Sequence, residues 1–200
     1  MDATPSSALS TAKADWFRAF RLIASPFRIR DERGGDTAAR EVLLDTAFGP
    51  SRLGKTCERL REGRRAASGL SFVAVADGVL VGTVRLWDVE IGDRAGLMLG
   101  PIAVDGRLRS AGIGRALMDH ALRRARKLGH KGVILVGDAP YYARFGFDPA
   151  LTEGFDLPGP VERARFLGLE LTAGGLKGAR GRIVGTGALV EDARGSRRAA

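Results

Sequence analysis

A single cysteine, Cys57, leaves the chain without an intramolecular disulfide framework and without a thiolate metal cluster. The two histidines, His120 and His130, belong to no HExxH or other metal-ligand series, so no metal is expected. No stretch approaches the roughly 18 consecutive apolar residues that cross a bilayer. Residues 1–25 are poor in acids yet lack the apolar core and cleavage site of a secretory signal. These absences predict a cytoplasmic protein with no membrane partner. Two phosphate chemistries are also missing. The chain contains no GxxxxGK followed by Ser or Thr, and the glycine pair Gly112 and Gly114 has Leu117 where a dinucleotide fingerprint needs a third glycine. A kinase and a Rossmann dehydrogenase are thereby disfavoured.

What is abundant is positive charge. Lys and Arg number 32 against 23 Asp and Glu, a formal charge of +9, which favours anionic partners. The basic residues are not interleaved with aromatics in the way that stacks single-stranded bases, so no specific nucleic acid is expected. With 44% hydrophobic residues, the chain can fill one sizeable core. The expected division is an N-terminal arm over 1–25, a domain over 26–188 and a disordered basic tail over 189–200.

The order of elements is readable from periodicity. Phe27 to Arg30 alternates as a short strand does, and Asp36 precedes TAAREVLLDTAF as an N-cap before a helix. Ser51 to Glu62 reads as a second helix, basic on one side. LSFVAVADG and VLVGTVRLWDVEI read as an antiparallel hairpin, and Gly92-Asp93 allows a further reversal before AGLMLGPIAV. Gly112 to Leu128 carries Ile113, Ala116, Leu117, Ala121, Ala125 and Leu128 as an apolar stripe, and GVILVG then supplies a central strand. Strand, helix and strand make a crossover unit, so the fold class is α/β (α+β in some schemes), with an antiparallel first half and a locally parallel second. GFDL and ARFLGLEL are later strand candidates. Ala173 to Gly187, with six glycines, reads as irregular coil or a weak strand.

The helix start is the chemically telling feature. Its first N–H groups have no intrahelical partner, and the helix dipole adds positive potential. Gly112 and Gly114 remove side chains from this point, while Arg107, Arg109 and Arg115 surround it with charge. Two readings stand: a cradle for a diphosphate, or a turn that permits tight helix packing.

LGPIAVDGRLRSAGIGRALMDHALRRARKLG resembles the signature region of the GNAT superfamily of acyl-CoA-dependent N-acetyltransferases. The family's turn pattern, Arg or Gln, two residues, Gly, one residue, Gly or Ala, is met by Arg109, Gly112 and Gly114. The resemblance spans roughly 27–147. GDAPYYARFGF and FLGLEL are similar to the bacterial YhbS-like branch, as far as about Leu171. The resemblance implies a mostly antiparallel central sheet flanked by helices, with two splayed parallel strands, Met98 to Val104 and Gly132 to Val136. Acetyl-CoA would lie between them as co-substrate. Backbone groups around Ile102, Ala103 and Val104 would hold its pantetheine arm. N–H groups of Arg109, Ser110, Ala111, Gly112, Ile113 and Gly114, with the Arg115 charge, would hold the pyrophosphate. Tyr142 stands four residues before Gly146-Phe147, where the family carries the tyrosine that protonates the leaving thiolate. Packing of the cofactor groove is its alternative role, and Tyr141 beside it is expected to point elsewhere, with lining of the acceptor pocket as the alternative.

Acetyl transfer to an amine needs a neutral amine, a polarised carbonyl and a stabilised thiolate, and no protein nucleophile. Asp88 and Glu90 would share a face of a regular strand and could frame an acceptor cavity as the base. The competing readings are a solvated acidic hairpin end and deprotonation by bulk water. Trp87 is either an apolar wall or packing. His120, His130, Asp138 and Cys57 are expected to be structural. The leading expectation is an acetyltransferase acting on a primary amine of a small molecule, peptide or protein, as monomer or homodimer. A CoA-binding sensor without turnover and a basic nucleic-acid-binding protein are the alternatives.

Overall fold

In the computed structural model, residues 26–190 are described, so the expected arm over 1–25 and the tail from 191 lie outside the described residues. Among the described residues, eight strands and three helices order themselves around one sheet. The strands are β1 (Phe27–Asp31), β2 (Ser71–Ala76), β3 (Val79–Ile91), β4 (Arg94–Val104), β5 (Gly132–Val136), β6 (Phe155–Asp156), β7 (Phe166–Glu170) and β8 (Gly181–Gly185). The helices are α1 (Thr37–Phe48), α2 (Ile113–Lys127) and the short α3 (Ala139–Ala143). Strand order is β1-β2-β3-β4-β5-β7, and β8 adds to the far end of β3 and pairs with β6. The β4–β5 pair is parallel because α2 carries the chain back over the sheet; the other main-path neighbours are antiparallel. This is the mixed, mostly antiparallel GNAT-like sheet that the sequence implied.

The two faces of the sheet carry different cores. On one, Ile113, Leu117, Met118, Ala121, Leu122 and Ala125 of α2 pack on Phe72, Val84, Leu86, Leu97 and Leu135. Each such large side chain taken fully from water contributes about 1.5–3 kcal/mol. The observed stripe departs from the expected one at its end. Gly129 at φ +85 turns the chain, the His130 N–H closes onto the Ala125 carbonyl at 3.1 Å, and Leu128 is left 47% exposed. On the other face, Trp87, Val89 and Ile91 join Met98, Ile134, Phe155, Phe166 and Ile183. The glycine-rich stretch that read as coil or weak strand supplies β8, which pairs with Val89 to Ile91. Leu189 bridges Arg64, and the Val190 N–H donates to the Gly63 carbonyl at 2.9 Å.

Two local expectations are corrected. Asp36 stands at the cap position of α1, but its carboxylate turns back to the Arg30 guanidinium at 2.6 and 2.8 Å and the Arg33 N–H at 2.7 Å. The Arg30 pairing lowers its pKa to about 2. The expected second helix over 51–62 is instead two 3-10 turns, Pro50–Gly54 and Thr56–Leu60. Gly49, Pro50 and Gly54 interrupt the α pattern. The turns are held from outside: Arg52 reaches back to Asp45 at 2.8 Å and to Glu41 of α1.

A chain of charges ties these pieces together. Glu32, its side chain 5% exposed, accepts from Arg85 of β3 at 2.7 Å and from Arg40 of α1. Arg40 also donates to Glu41, which pairs with Arg52. The pairing is internally compensated, so its value lies in completeness: removing one partner strands a buried charge. Glu32→Ala should lower unfolding stability by about 3 kcal/mol, read from urea denaturation. A loss below about 1 kcal/mol would mean that Arg40 and Arg85 find water or other acceptors.

Candidate active site

The cleft begins where a parallel ladder stops. β4 and β5 pair only at Leu97↔Val133 and Met98↔Ile134. Just beyond, β4 carries a bulge: Gly100 and Pro101 lie between the pairs Leu86↔Leu99 and Val84↔Ile102, opposite the single residue Arg85. Gly100 takes φ +122, a conformation open to glycine, and Pro101 brings no N–H to the ladder. The Gly100 carbonyl is turned to accept the Trp87 indole N–H at 2.6 Å. Trp87 therefore does more than pack: it fixes the bulge. Past it, β4 stays paired to β3 through Ala103 and Val104, while β5 is paired to β7 from Gly132 to Val136. Both outer edges are anchored and the inner edges part. Ile102, Ala103 and Val104 sit on this parted segment.

The glycine turn follows β4. Asp105 accepts from the Arg107 N–H at 2.9 Å and pairs with its guanidinium, so the chain turns before Arg109. Ser110 and Gly112 both adopt left-handed φ, +70 and +79, and α2 starts with no side-chain cap. A Cβ at Gly112 would meet no protein atom within 4 Å, so glycine is set by backbone conformation rather than by crowding. Arg109, Ser110, Ala111, Gly112 and Arg115 are exposed, and Arg115 pairs loosely with Asp119 at 3.8 Å. Ile113 is a core residue, 2% exposed, which leaves only its backbone to the turn. An uncapped, side-chain-free helix start beside arginines suits a diphosphate.

Tyr142 closes the other end. Its ring makes edge contacts with Tyr141 at 5.0 Å and Phe147 at 5.9 Å. A Cβ on Gly137 would lie 2.1 Å from Tyr142 Cε2, so the absence of a side chain at Gly137 is what seats the ring. Burial, with Tyr141 and Asp138 adding to it, pushes the Tyr142 phenol up to about 12. It is a full proton donor at neutral pH. Asp138 caps α3, accepting from the Tyr141 N–H at 3.3 Å. Tyr141 does not point away: it lines the same cavity, and its hydroxyl would stand 3.2 Å from a Cβ at Gly114. It thereby links the glycine turn to the cavity.

That cavity, about 690 Å³, runs from Leu99–Ile102 and Leu135–Asp138 to two walls far apart in sequence. One wall is the pair of 3-10 turns, with Arg52, Lys55, Cys57, Glu58 and Arg61; the other is the 160–165 segment, with Glu162 and Arg165. The sequence points to the 51–62 segment, with the first helix and the Asp88 to Asp93 turn, as the determinant of the acceptor, but it assigns no individual residue of either wall to the site. Thr56 donates to the Pro160 carbonyl at 2.7 Å and Arg59 to the Pro158 carbonyl at 2.6 Å, which joins the walls. Asp88 and Glu90 are not brought here. Strand alternation puts them on the face of Val84 and Leu86, opposite Trp87. The Asp88 carbonyl instead accepts from Thr186 and Gly187. His120 packs edge-on against Phe72 at 4.6 Å, and burial lowers its pKa. Cys57 lines the cavity, but burial pushes its thiol up, away from a nucleophilic thiolate. Among the described residues no group of three or more His, Cys, Asp or Glu could hold a metal, and no helix is long and apolar enough to cross a membrane.

A parallel pair parted at its inner edges, with a glycine-started helix at one end and a tyrosine at the other, defines the acyltransferase class. The Acetyltransferase (GNAT) family pattern matches residues 39–147, and the chain belongs to that family. Its relatives include the uncharacterized N-acetyltransferase YhbS of Escherichia coli K12, 29% identical over 158 residues, 78% of this chain and 93% of that protein. The uncharacterized N-acetyltransferase YjhQ of the same organism is 31% identical over 140 residues, 68% of this chain and 76% of that one. A crystal structure of E. coli YhbS in complex with CoA superposes with a TM-score of 0.70 at 28% identity, covering 82% of this chain and 91% of its own. A GNAT family acetyltransferase from Brucella melitensis in complex with acetyl-CoA gives 0.57 at 29% identity, covering 84% and 97%.

Because the Tyr142 ring occupies the space beside Gly137, Gly137→Ala should lower acetyl-transfer turnover by about 10²-fold through displacement of the hydroxyl. Circular dichroism should show the fold retained. Unchanged turnover in the folded variant would remove Tyr142 from the chemistry.

Proposed function

We propose that the protein transfers an acetyl group directly from acetyl-CoA to a primary amine of a small molecule, peptide or protein. The observation that carries this reading is the continuity of the cleft: an uncapped helix start, the open inner edge of β4 and the half-buried Tyr142 follow one another along the splay. Two related structures, solved in complex with CoA and with acetyl-CoA, support the choice of acetyl-CoA as the co-substrate. The residues present fit such a cofactor, since its phosphates need N–H donors without competing side chains and its arm needs an unpaired strand edge.

Acetyl-CoA supplies an activated thioester. In this proposal the backbone from Arg109 to Gly114, with Arg115 nearby, holds the diphosphate, and Ile102 and Val104 offer backbone groups to the arm, with Ala103 between them. Tyr142 gives its proton to the departing sulfur, which its high pKa keeps available across the neutral range. Asp88 and Glu90, on the α2 face, give way as base to the cavity-wall carboxylates Glu58 and Glu162 or to water. The open cavity beside Tyr142 favours turnover over a sensor whose acceptor space is closed.

Tyr142→Phe should reduce kcat by about 10²-fold and leave acetyl-CoA affinity unchanged in calorimetry. Because ionisation of this phenol is held near 12, wild-type kcat should show no alkaline fall from Tyr142 below about pH 11. Equal kcat in the two proteins would assign thiolate release to water.

A further inference from the structure

The acceptor side of the cavity contains a buried guanidinium with too few acceptors. The Arg61 side chain is 10% exposed and lines the cavity. Its Nε donates to the Cys57 carbonyl at 3.0 Å. The nearest carboxylate, Glu58, is 3.6 Å from one terminal nitrogen, beyond hydrogen-bond length. Burial pulls its pKa down, the mark of a charge incompletely compensated by its surroundings. The neighbouring arginine behaves differently. Arg52, 12% exposed at its side chain, is held by two carboxylates, Asp45 and Glu41. A guanidinium has five N–H donors in a planar fork that matches carboxylate and phosphate oxygens. In Arg61 the terminal nitrogens that form that fork have no acceptor within hydrogen-bond length among the described residues. Lys55 and Arg165 add positive charge to the same cavity.

We infer that the acceptor is an amine that also carries an anionic group, a carboxylate or a phosphate, and that Arg61 is the residue that binds that group. This rests on the acetyl-transfer reading for the cavity, and it adds the chemical class of the second substrate. The diphosphate of the cofactor is served elsewhere, at the start of α2, so Arg61 is left to the acceptor. Its fork orients the acceptor by its acidic end, and the amine is turned toward Tyr142. A buried charged hydrogen bond of this kind discriminates by the cost of leaving the guanidinium unpaired when a neutral substrate enters.

The test uses the full chain saturated with CoA, titrated in a calorimeter with matched amine pairs: γ-aminobutyrate against its amide, and aminoethyl phosphate against ethanolamine. At least one anionic member should bind about tenfold or more tighter than its neutral partner, and the better pair identifies carboxylate or phosphate as the group read. Arg61→Gln should bring that ratio close to one, and Arg61→Lys should restore part of it, with CoA affinity unchanged in both as the check of folding. In turnover assays the Arg61→Gln loss should fall on the KM of the anionic amine. If each neutral amine binds as well as its anionic partner, or if Arg61→Gln weakens both members of a pair equally, the inference is overturned. Charge-dependent binding without acetyl transfer would uphold the Arg61 site and refute the acetyl-transfer reading. Failure to bind acetyl-CoA itself would refute that reading and the inference with it.

Discussion

The architecture depends on a parallel pairing that is only two residues long. A full β4–β5 ladder would satisfy the inner edges of both strands and close the sheet. Stopping it after Met98 and Ile134 leaves strand edges open in the middle of a well-packed domain. Unpaired backbone groups away from water are costly, so such an opening persists only if the flanking structure holds it. Here β3 holds one side and β7 the other, and the Trp87 indole locks the bulge that turns β4 aside.

The same bulge explains how the two faces of the sheet come to different uses. The face that α2 covers is a mainly apolar layer, and it leads to the glycine turn at the helix start. The opposite face is covered at one end by α1, whose Leu43 and Leu44 pack on Ala103 and Leu80, and elsewhere by pieces without regular long-range periodicity: two 3-10 turns, a proline-containing connection and the short β6–β8 pair. These are positioned by polar links. The run from Arg85 through Glu32, Arg40 and Glu41 to Arg52 connects the sheet to the first wall, and Thr56 and Arg59 connect that wall to the second.

This difference between the faces also decides how much of the molecule is legible in its sequence. The hairpin, α2, β5 and the tyrosine segment are local: a period of two or 3.6, a glycine in the left-handed region and a cap are all visible in a short window. The residues proposed to hold the cofactor follow from them and from the family resemblance. Alternation correctly puts Asp88 and Glu90 on one face, but only the packing of α2 decides which face that is. The 51–62 segment misleads because helix-forming residues outnumber Gly49, Pro50 and Gly54, whereas its conformation is set by bonds from Arg52 to α1. Arg61, Glu58, Glu162 and Arg165 share a cavity although their two segments lie about a hundred residues apart, as the Thr56–Pro160 separation of 104 shows. No local pattern reports such a meeting.

Acetyl-CoA is proposed to lie along the parted inner edge of β4 and at the start of α2. Hydrogen exchange of backbone amides, followed with and without acetyl-CoA, tests this directly. Exchange should slow at Arg109 to Gly114 and along Ile102 to Val104, with no change at Asp88 to Asp93. Protection confined to the hairpin end, or none in the glycine turn at saturating ligand, would contradict that placement.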